Sequence, residues 1–253
     1  MQKEDEMMKR RLLDLAERAF QKNTYTYSNF LSSADQALLT ECVGEFAFIP
    51  HQLFGGVEGS ERQMVAFGSE ELFGYAPVFP LVCLQIKPLA VKFSEDLNHR
   101  DVLGALMNLG IERDVLGDIM LRDKSVYLFC IESMVDYIQE KLTRIRHTSV
   151  LCEVMAEIPD YLKPQLKEEH ETVASLRLDV VVAAAYNLSR SKSYTLLTEQ
   201  KIAVNGRVNE NRSHVLKQGD IISVRGYGKF VLSAVLGETR KGKLSIMLSK
   251  FVS

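Results

Sequence analysis

From Ser175 the chain reads Ser175-Leu176-Arg177-Leu178-Asp179, then Val180-Val181-Val182-Ala183-Ala184-Ala185-Tyr186-Asn187-Leu188, then Ser189-Arg190-Ser191-Lys192. Leu178, Val181, Val182 and Ala185 fall at i, i+3, i+4 and i+7, the spacing of one buried helix face. Ser189 or Ser191 breaks that helix and can cap a second one, expected over residues 192–200. Arg190 and Lys192 then stand at the start of the second helix. Free backbone N–H groups and the positive end of the helix dipole already favour an anion there. A phosphate at that corner is drawn by side-chain charge, N–H donors and dipole together.

Downstream, Ile202-Ala203-Val204-Asn205-Gly206-Arg207-Val208 is an apolar run entering an Asn-Gly turn, a hairpin cue. Arg212 and Lys217 precede a Gly219-Asp220 turn. Ile221-Ile222-Ser223-Val224-Arg225 and Gly228-Lys229-Phe230-Val231-Leu232 read as strands, and a last hairpin carries Arg240, Lys241 and Lys243 around Gly242. Four blocks in order, Arg177-Leu178-Asp179, Ser189-Arg190-Ser191, Val204-Asn205-Gly206 and Gly219 to Arg225, resemble the αL-type RNA-binding domain. That domain occurs in ribosomal protein S-four, many pseudouridine synthases and bacterial tyrosyl-tRNA synthetases. The resemblance implies that the two helices and the following strand cradle phosphates of a structured RNA. On this chain the matching positions are Arg177, Ser189, Arg190, Ser191, Lys192, Asn205, Arg207 and Arg225, with Lys229 next along. Arg240, Lys241 and Lys243 form a candidate secondary contact. The second helix departs from the family in carrying Tyr194-Thr195-Leu196 where many relatives place another Arg, so a weaker contribution from it is expected.

Charge agrees with this placement. The 253 residues carry 31 Lys+Arg and 33 Asp+Glu, a net −2 that hides a split. Up to His170 there are 18 basic and 27 acidic residues (−9), and from Glu171 onward 13 and 6 (+7). A basic C-terminal third on an acidic body is the footprint of one module directed at a polyanion. Cys42, Cys83, Cys130 and Cys152 form no CxxC pair and read as reduced core thiols. The five histidines (His51, His99, His147, His170 and His214) lack the spacing of a metal site, so neither metal nor cofactor is expected. Met1 to Glu6 opens no signal peptide and no apolar stretch spans a bilayer, so a soluble, cytoplasmic monomer is expected.

Working toward the N-terminus, residues 159–172 hold Pro159, Pro164 and the charge run Lys167-Glu168-Glu169-His170-Glu171, and read as a linker. Before it, residues 80–158 alternate strand, helix, strand, strand, helix, strand, the split βαβ arrangement of ferredoxin-like folds and RNA-recognition motifs. Tyr127 and Phe129 share one face of a central strand and are candidate base contacts, although the signature of such motifs is absent and core packing is the default. Residues 1–79 read as a small α/β domain. An amphipathic helix spans 4–22, and a second is capped by Ser33 with Gln36. Short strands follow at 46–49, 52–54 and 63–67, turned by Gly55-Gly56 and Gly59-Ser60. Glu61-Arg62 reads as a solvated ion pair. The fold class is α+β in three domains: 1–79, 80–158 and 173–253.

The blocks Gly55-Gly56…Glu61-Arg62, Leu109-Gly110-Ile111-Glu112-Arg113-Asp114-Val115-Leu116-Gly117-Asp118-Ile119 and Val173 to Asp179 make the whole chain similar to the YlmH family of Gram-positive bacteria. That resemblance implies RNA binding (ribosomal RNA, tRNA or both) on the large ribosomal subunit with peptidyl-tRNA, in rescue of stalled translation. It also implies a gene context among cell-division genes. Leu176-Arg177-Leu178-Asp179 superficially matches the block holding the catalytic Asp of pseudouridine synthases, but Leu replaces Gly and Asp179 reads as a helix start. No nucleophile with a recognisable base is present, so a non-catalytic binder is expected. The alternatives are a division-associated protein scaffold, with a partner on the acidic body, or an RNA-modifying enzyme with unfamiliar chemistry.

Overall fold

Helix α1 (Gln2–Lys22) turns Leu12, Leu15, Ala16 and Ala19 inward, the stripe set by its apolar periodicity. It packs on α2 (Ser33–Glu41) and on an antiparallel sheet of β1 (Thr26–Tyr27), β2 (His51–Phe54) and β3 (Met64–Phe67), ordered β1-β3-β2. The computed structural model describes residues 2–162, 165–240 and 242–252, in two compact units, Met1–Lys163 and Pro164–Ser253. Mixed helix and sheet in both units make the fold α+β, as expected.

Two local expectations are corrected in this first section. The capping box lies one residue earlier than expected. Asp35 accepts from the Ser32 backbone N–H at 2.9 Å, and Ser32 Oγ accepts from the Asp35 N–H at 3.3 Å. Gln36 instead reaches outward to the carbonyls of Leu31 (3.1 Å) and Glu61 (2.8 Å). The strand expected at 46–49 is replaced by a 3-10 turn over Val43–Phe46. Phe46 and Ile49, three apart, are both buried, which a helical turn achieves and a strand does not. A single helical turn, α3 (Glu70–Phe73), closes the section.

The next section follows the expected order: β4 (Leu81–Pro88), α4 (His99–Asn108), β5 (Leu116–Arg122), β6 (Ser125–Ile131), α5 (Val135–Lys141) and β8 (Thr148–Val154). A two-residue strand, β7 (Arg144–Ile145), is added at the edge of the β5-β6-β4-β8-β7 sheet. Among the four main strands the spatial order is second, third, first, fourth, the ferredoxin-like pattern. Helices α4 and α5 cover one face through Val102, Leu106, Val135 and Ile138.

The other face is not open. Cys83, Tyr127 and Phe129 pack with Phe30, Val57 and Met64 of the N-terminal section. Phe129 is fully buried, and Tyr127 is 4% exposed with its hydroxyl 2.9 Å from Gln85 Nε2 and 2.8 Å from the Tyr161 hydroxyl. Both rings therefore belong to the core, and the expectation of a base contact there is corrected. Glycines make the approach possible. A Cβ on Gly56 would stand 2.3 Å from the Phe129 ring, and one on Gly117 2.7 Å from that of Phe30. Arg62 pins the same seam, donating to the carbonyls of Leu116 (2.9 Å), Phe30 (3.0 Å) and Arg113 (3.2 Å). The Asp118 carboxylate accepts the N–H groups of Glu61 (2.7 Å) and Arg62 (3.0 Å). Glu61-Arg62 is thus a joint between the two sections rather than a solvated pair. Burial, and then the neighbouring Arg62, push the Arg113 pKa down to about 10.

In the second unit, the residues expected as a linker include a nine-residue strand, β9 (Gln165–Val173); residues 163 and 164 lie outside the described residues. Strand β9 is the edge of a six-stranded antiparallel sheet with β10 (Ile202–Val204), β11 (Arg207–Val208), β12 (Ile221–Val224), β13 (Gly228–Glu238) and β14 (Leu244–Val252), ordered β11-β10-β12-β13-β14-β9. Its charge run is what an exposed edge tolerates, and Glu169 forms ion pairs with Lys167 and Lys250. Helices α6 (Leu178–Ala185) and α7 (Arg190–Thr198) pack on this sheet, with Leu178, Val181, Val182 and Ala185 all buried as the periodicity requires.

Candidate nucleic-acid interface

The corner between α6 and α7 is built by its serines. Ser189 is the N-cap of α7, its Oγ accepting from the Lys192 N–H at 3.2 Å and lying 2.9 Å from Ser191 Oγ. That cap resolves the choice between Ser189 and Ser191 and sets Arg190 and Lys192 in the first turn. Both side chains are exposed and carry no ion pair among the described residues. Buried Ser193 donates to the Asp179 carbonyl at 2.8 Å and fixes α7 against the start of α6. The first turn of α7 thus presents two cations, a dipole end and backbone donors toward solvent.

The other expected positions divide. Arg177 is held in a bidentate pair with Asp179, at 3.0 and 2.8 Å, so much of its charge is already neutralised. The same pair occupies the Asp179 carboxylate. Asn205 is part of the scaffold: its amide donates to Asp220 at 2.9 Å, and its oxygen accepts from the Ile221 N–H at 2.9 Å. Arg207 is half-buried and already engaged in an interaction of its own. Arg225 is exposed at the end of β12, and its N–H donates to the Lys201 carbonyl at 2.8 Å. Lys229 sits with its ammonium 4.2 Å from the Phe251 ring centre. Arg240 and Lys243 are exposed at the tip of the β13–β14 hairpin, nine or more residues from the β13 end that carries Lys229. At ~3.4 Å per residue the strand separates the two groups by roughly 30 Å. Lys241 lies outside the described residues.

Two cations outside the expected set join the corner's surroundings. Arg212 lies 5.8 Å from the Tyr194 ring of α7, and Lys217 is exposed before the Gly219 turn. Sequence spacing could not connect them to α7. The connection runs through the pairing of residues 214–216 with 176–178, where Leu178 donates to His214 and Leu216 to Leu176. Among the described residues no helix is long and apolar enough to cross a membrane.

Residues 176–222 match the model described as "S4 domain", and residues 78–159 the one described as "Putative RNA-binding domain in YlmH". The "Ribosome-associated protein quality control protein P2" of Bacillus subtilis (strain 168) is 31% identical over 225 residues, 88% of this chain and 86% of that protein. The chain belongs to the YlmH family. A solved structure, "Cell division protein ylmH from Streptococcus pneumoniae", is 21% identical and covers 60% of this YlmH-family chain and 91% of its own, with a TM-score of 0.49. In this YlmH-family chain the α6–α7 corner lies wholly inside the S4 span, whereas β13, β14 and β9 lie beyond it.

Proposed function

We propose that this protein is a non-catalytic binder of structured RNA that works on the ribosome. In this reading it acts on the large subunit with peptidyl-tRNA, in the rescue of stalled translation. The observation that carries it is the exposed, unpaired Arg190 and Lys192 on the serine-capped first turn of α7, within the S4 span. Such a corner reads backbone: cations neutralise phosphates, and N–H and hydroxyl groups add short hydrogen bonds, with little dependence on base sequence. The name of the Bacillus subtilis relative, which places that protein in ribosome-associated quality control, supports the ribosomal setting.

The test is Arg190→Glu with Lys192→Glu, followed by co-sedimentation with large subunits. Neither side chain has an ion pair to lose among the described residues, and acidic residues suit a helix N-terminus. The unfolding midpoint should therefore hold while co-sedimentation is lost. Unchanged co-sedimentation in a folded double variant moves the RNA site away from α7.

A further inference from the structure

Beyond the S4 span the chain reads Arg225-Gly226-Tyr227-Gly228-Lys229, the turn between β12 and β13 with the first two residues of β13. We propose that Tyr227 is a stacking platform for an unpaired base of the RNA whose backbone is held at the α6–α7 corner. The inference rests on the RNA-binding reading above and adds to it a contact with a base.

The turn is built to display the ring. Gly226 and Gly228, on either side of Tyr227, have φ of 88° and 125°, values that side-chain-bearing residues rarely adopt. Tyr227 remains 39% exposed, yet its ring is backed by Tyr186, with centroids 5.4 Å apart. Tyr186 is itself fixed, with the Phe230 ring at 5.8 Å and the Lys250 ammonium 5.4 Å from its ring centre. Its hydroxyl is buried without a hydrogen-bond partner among the described residues. Tyr186 is therefore a rigid backing, and Tyr227 is the face that water reaches.

The surroundings suit a nucleotide. Arg225 is exposed with no ion pair among the described residues, and Lys229, at the start of β13, holds its ammonium over the Phe251 ring. The stretch from Arg225 to Lys229 contains no acidic residue. Exposed aromatics interleaved with cations are how proteins bind single-stranded nucleotides, because every base offers a π-face. The turn also stands close to the phosphate corner. Tyr186 caps α6, and Ser189, three residues later, caps α7. Three residues span at most ~11 Å. A strand whose phosphates rest on Arg190 and Lys192 can thus place a neighbouring unpaired base on Tyr227.

The experiment uses the full chain and two RNA hairpins with the same stem, one fully paired and one with a single bulged 2-aminopurine. Tyr227→Leu keeps an apolar cover over Tyr186 but removes the π-face; Tyr227→Phe keeps both. The wild type and Tyr227→Phe should bind the bulged hairpin about 10-fold more tightly than the paired one and quench the 2-aminopurine. Tyr227→Leu should lose both the preference and the quenching, with affinity for the paired hairpin unchanged. Equal affinity of Tyr227→Leu and wild type for the bulged hairpin overturns the proposal. So does an equal loss on both hairpins. If Tyr227→Leu fails to co-sediment with ribosomes but binds both hairpins normally, the ring serves a protein contact and the proposal also falls. Wild type that binds neither hairpin overturns the RNA-binding reading itself.

Discussion

Asn205 and Gly206 have φ of 49° and 76°, the two positive values that a tight hairpin turn demands, and the Asn-Gly pair announces that turn from sequence alone. What the pair does not announce is where the Asn205 amide goes. Its partners, Asp220 and the Ile221 N–H, are fifteen and sixteen residues away, and they convert an expected RNA contact into a tie between two turns. Replacing Asn205 with Ala places a Cβ-bearing residue without a local hydrogen bond in the left-handed region and orphans the Ile221 N–H. The expected cost is roughly 2–4 kcal/mol. Asn205→Gly keeps the backbone free and loses only the hydrogen bonds, roughly 1–2 kcal/mol. Denaturant unfolding should rank wild type, Gly and Ala in that order. Equal stability of Ala and wild type would return Asn205 to the surface and to RNA. The placement of Arg190 and Lys192, by contrast, is legible in sequence because it needs only a serine cap and a helix start, both local. Tyr127 and Phe129 are legible as a shared face but not as a covered one, since the cover comes from Phe30, Val57 and Met64, more than sixty residues earlier.

At the scale of elements, periodicity recovers those whose own residues carry an apolar pattern: α1, α4, α6 and the four main strands of the middle section. Strand β9 is hidden for the opposite reason. It pairs with β14 from Val173↔Leu244 to Gln165↔Val252, across more than seventy residues, and its middle is the charge run from Lys167 to Glu171. The fold makes use of that charge. Hydrogen bonds from Lys250 and then Lys167 hold the Glu169 pKa below its ordinary value of 4.5. The ionised carboxylate is therefore favoured by folding. Its contribution is complete above pH 4.5 and is lost as pH falls through the lowered, folded value. Glu169→Gln should be less stable than wild type at neutral pH, with the gap closing as the pH is lowered below 4.5 and through the depressed folded value. Thermal midpoints across that range test it. A gap independent of pH would mean that packing of the side chain, and not its charge, holds β9 to the sheet.

On the scale of the whole molecule, the structural boundary at residue 164 moves the charge split slightly. The first unit carries 17 Lys+Arg and 25 Asp+Glu (−8), and the second 14 and 8 (+6). The near-neutral total is thus an average of two units of opposite sign, and the acidic edge strand belongs to the basic one. A binder of this kind gains much of its affinity from counterions released by RNA, so salt dependence counts the phosphates it neutralises. Arg190, Lys192 and two of the nearby exposed cations (Arg212, Lys217 and Arg225) would engage about four phosphates. At about 0.7 to 0.9 per phosphate, log Kobs against log salt should have a slope of about −3. Removing Arg190 and Lys192 together, as Ala, should bring the slope to about −1.5 while leaving the residual affinity far less sensitive to salt. Titration of a fully paired RNA hairpin against the full chain at several salt concentrations measures both slopes. A slope near zero in the wild type would remove the electrostatic basis of the interface. A slope unchanged by the double substitution would place the neutralised phosphates on Arg212, Lys217, Arg225 or the hairpin tip instead.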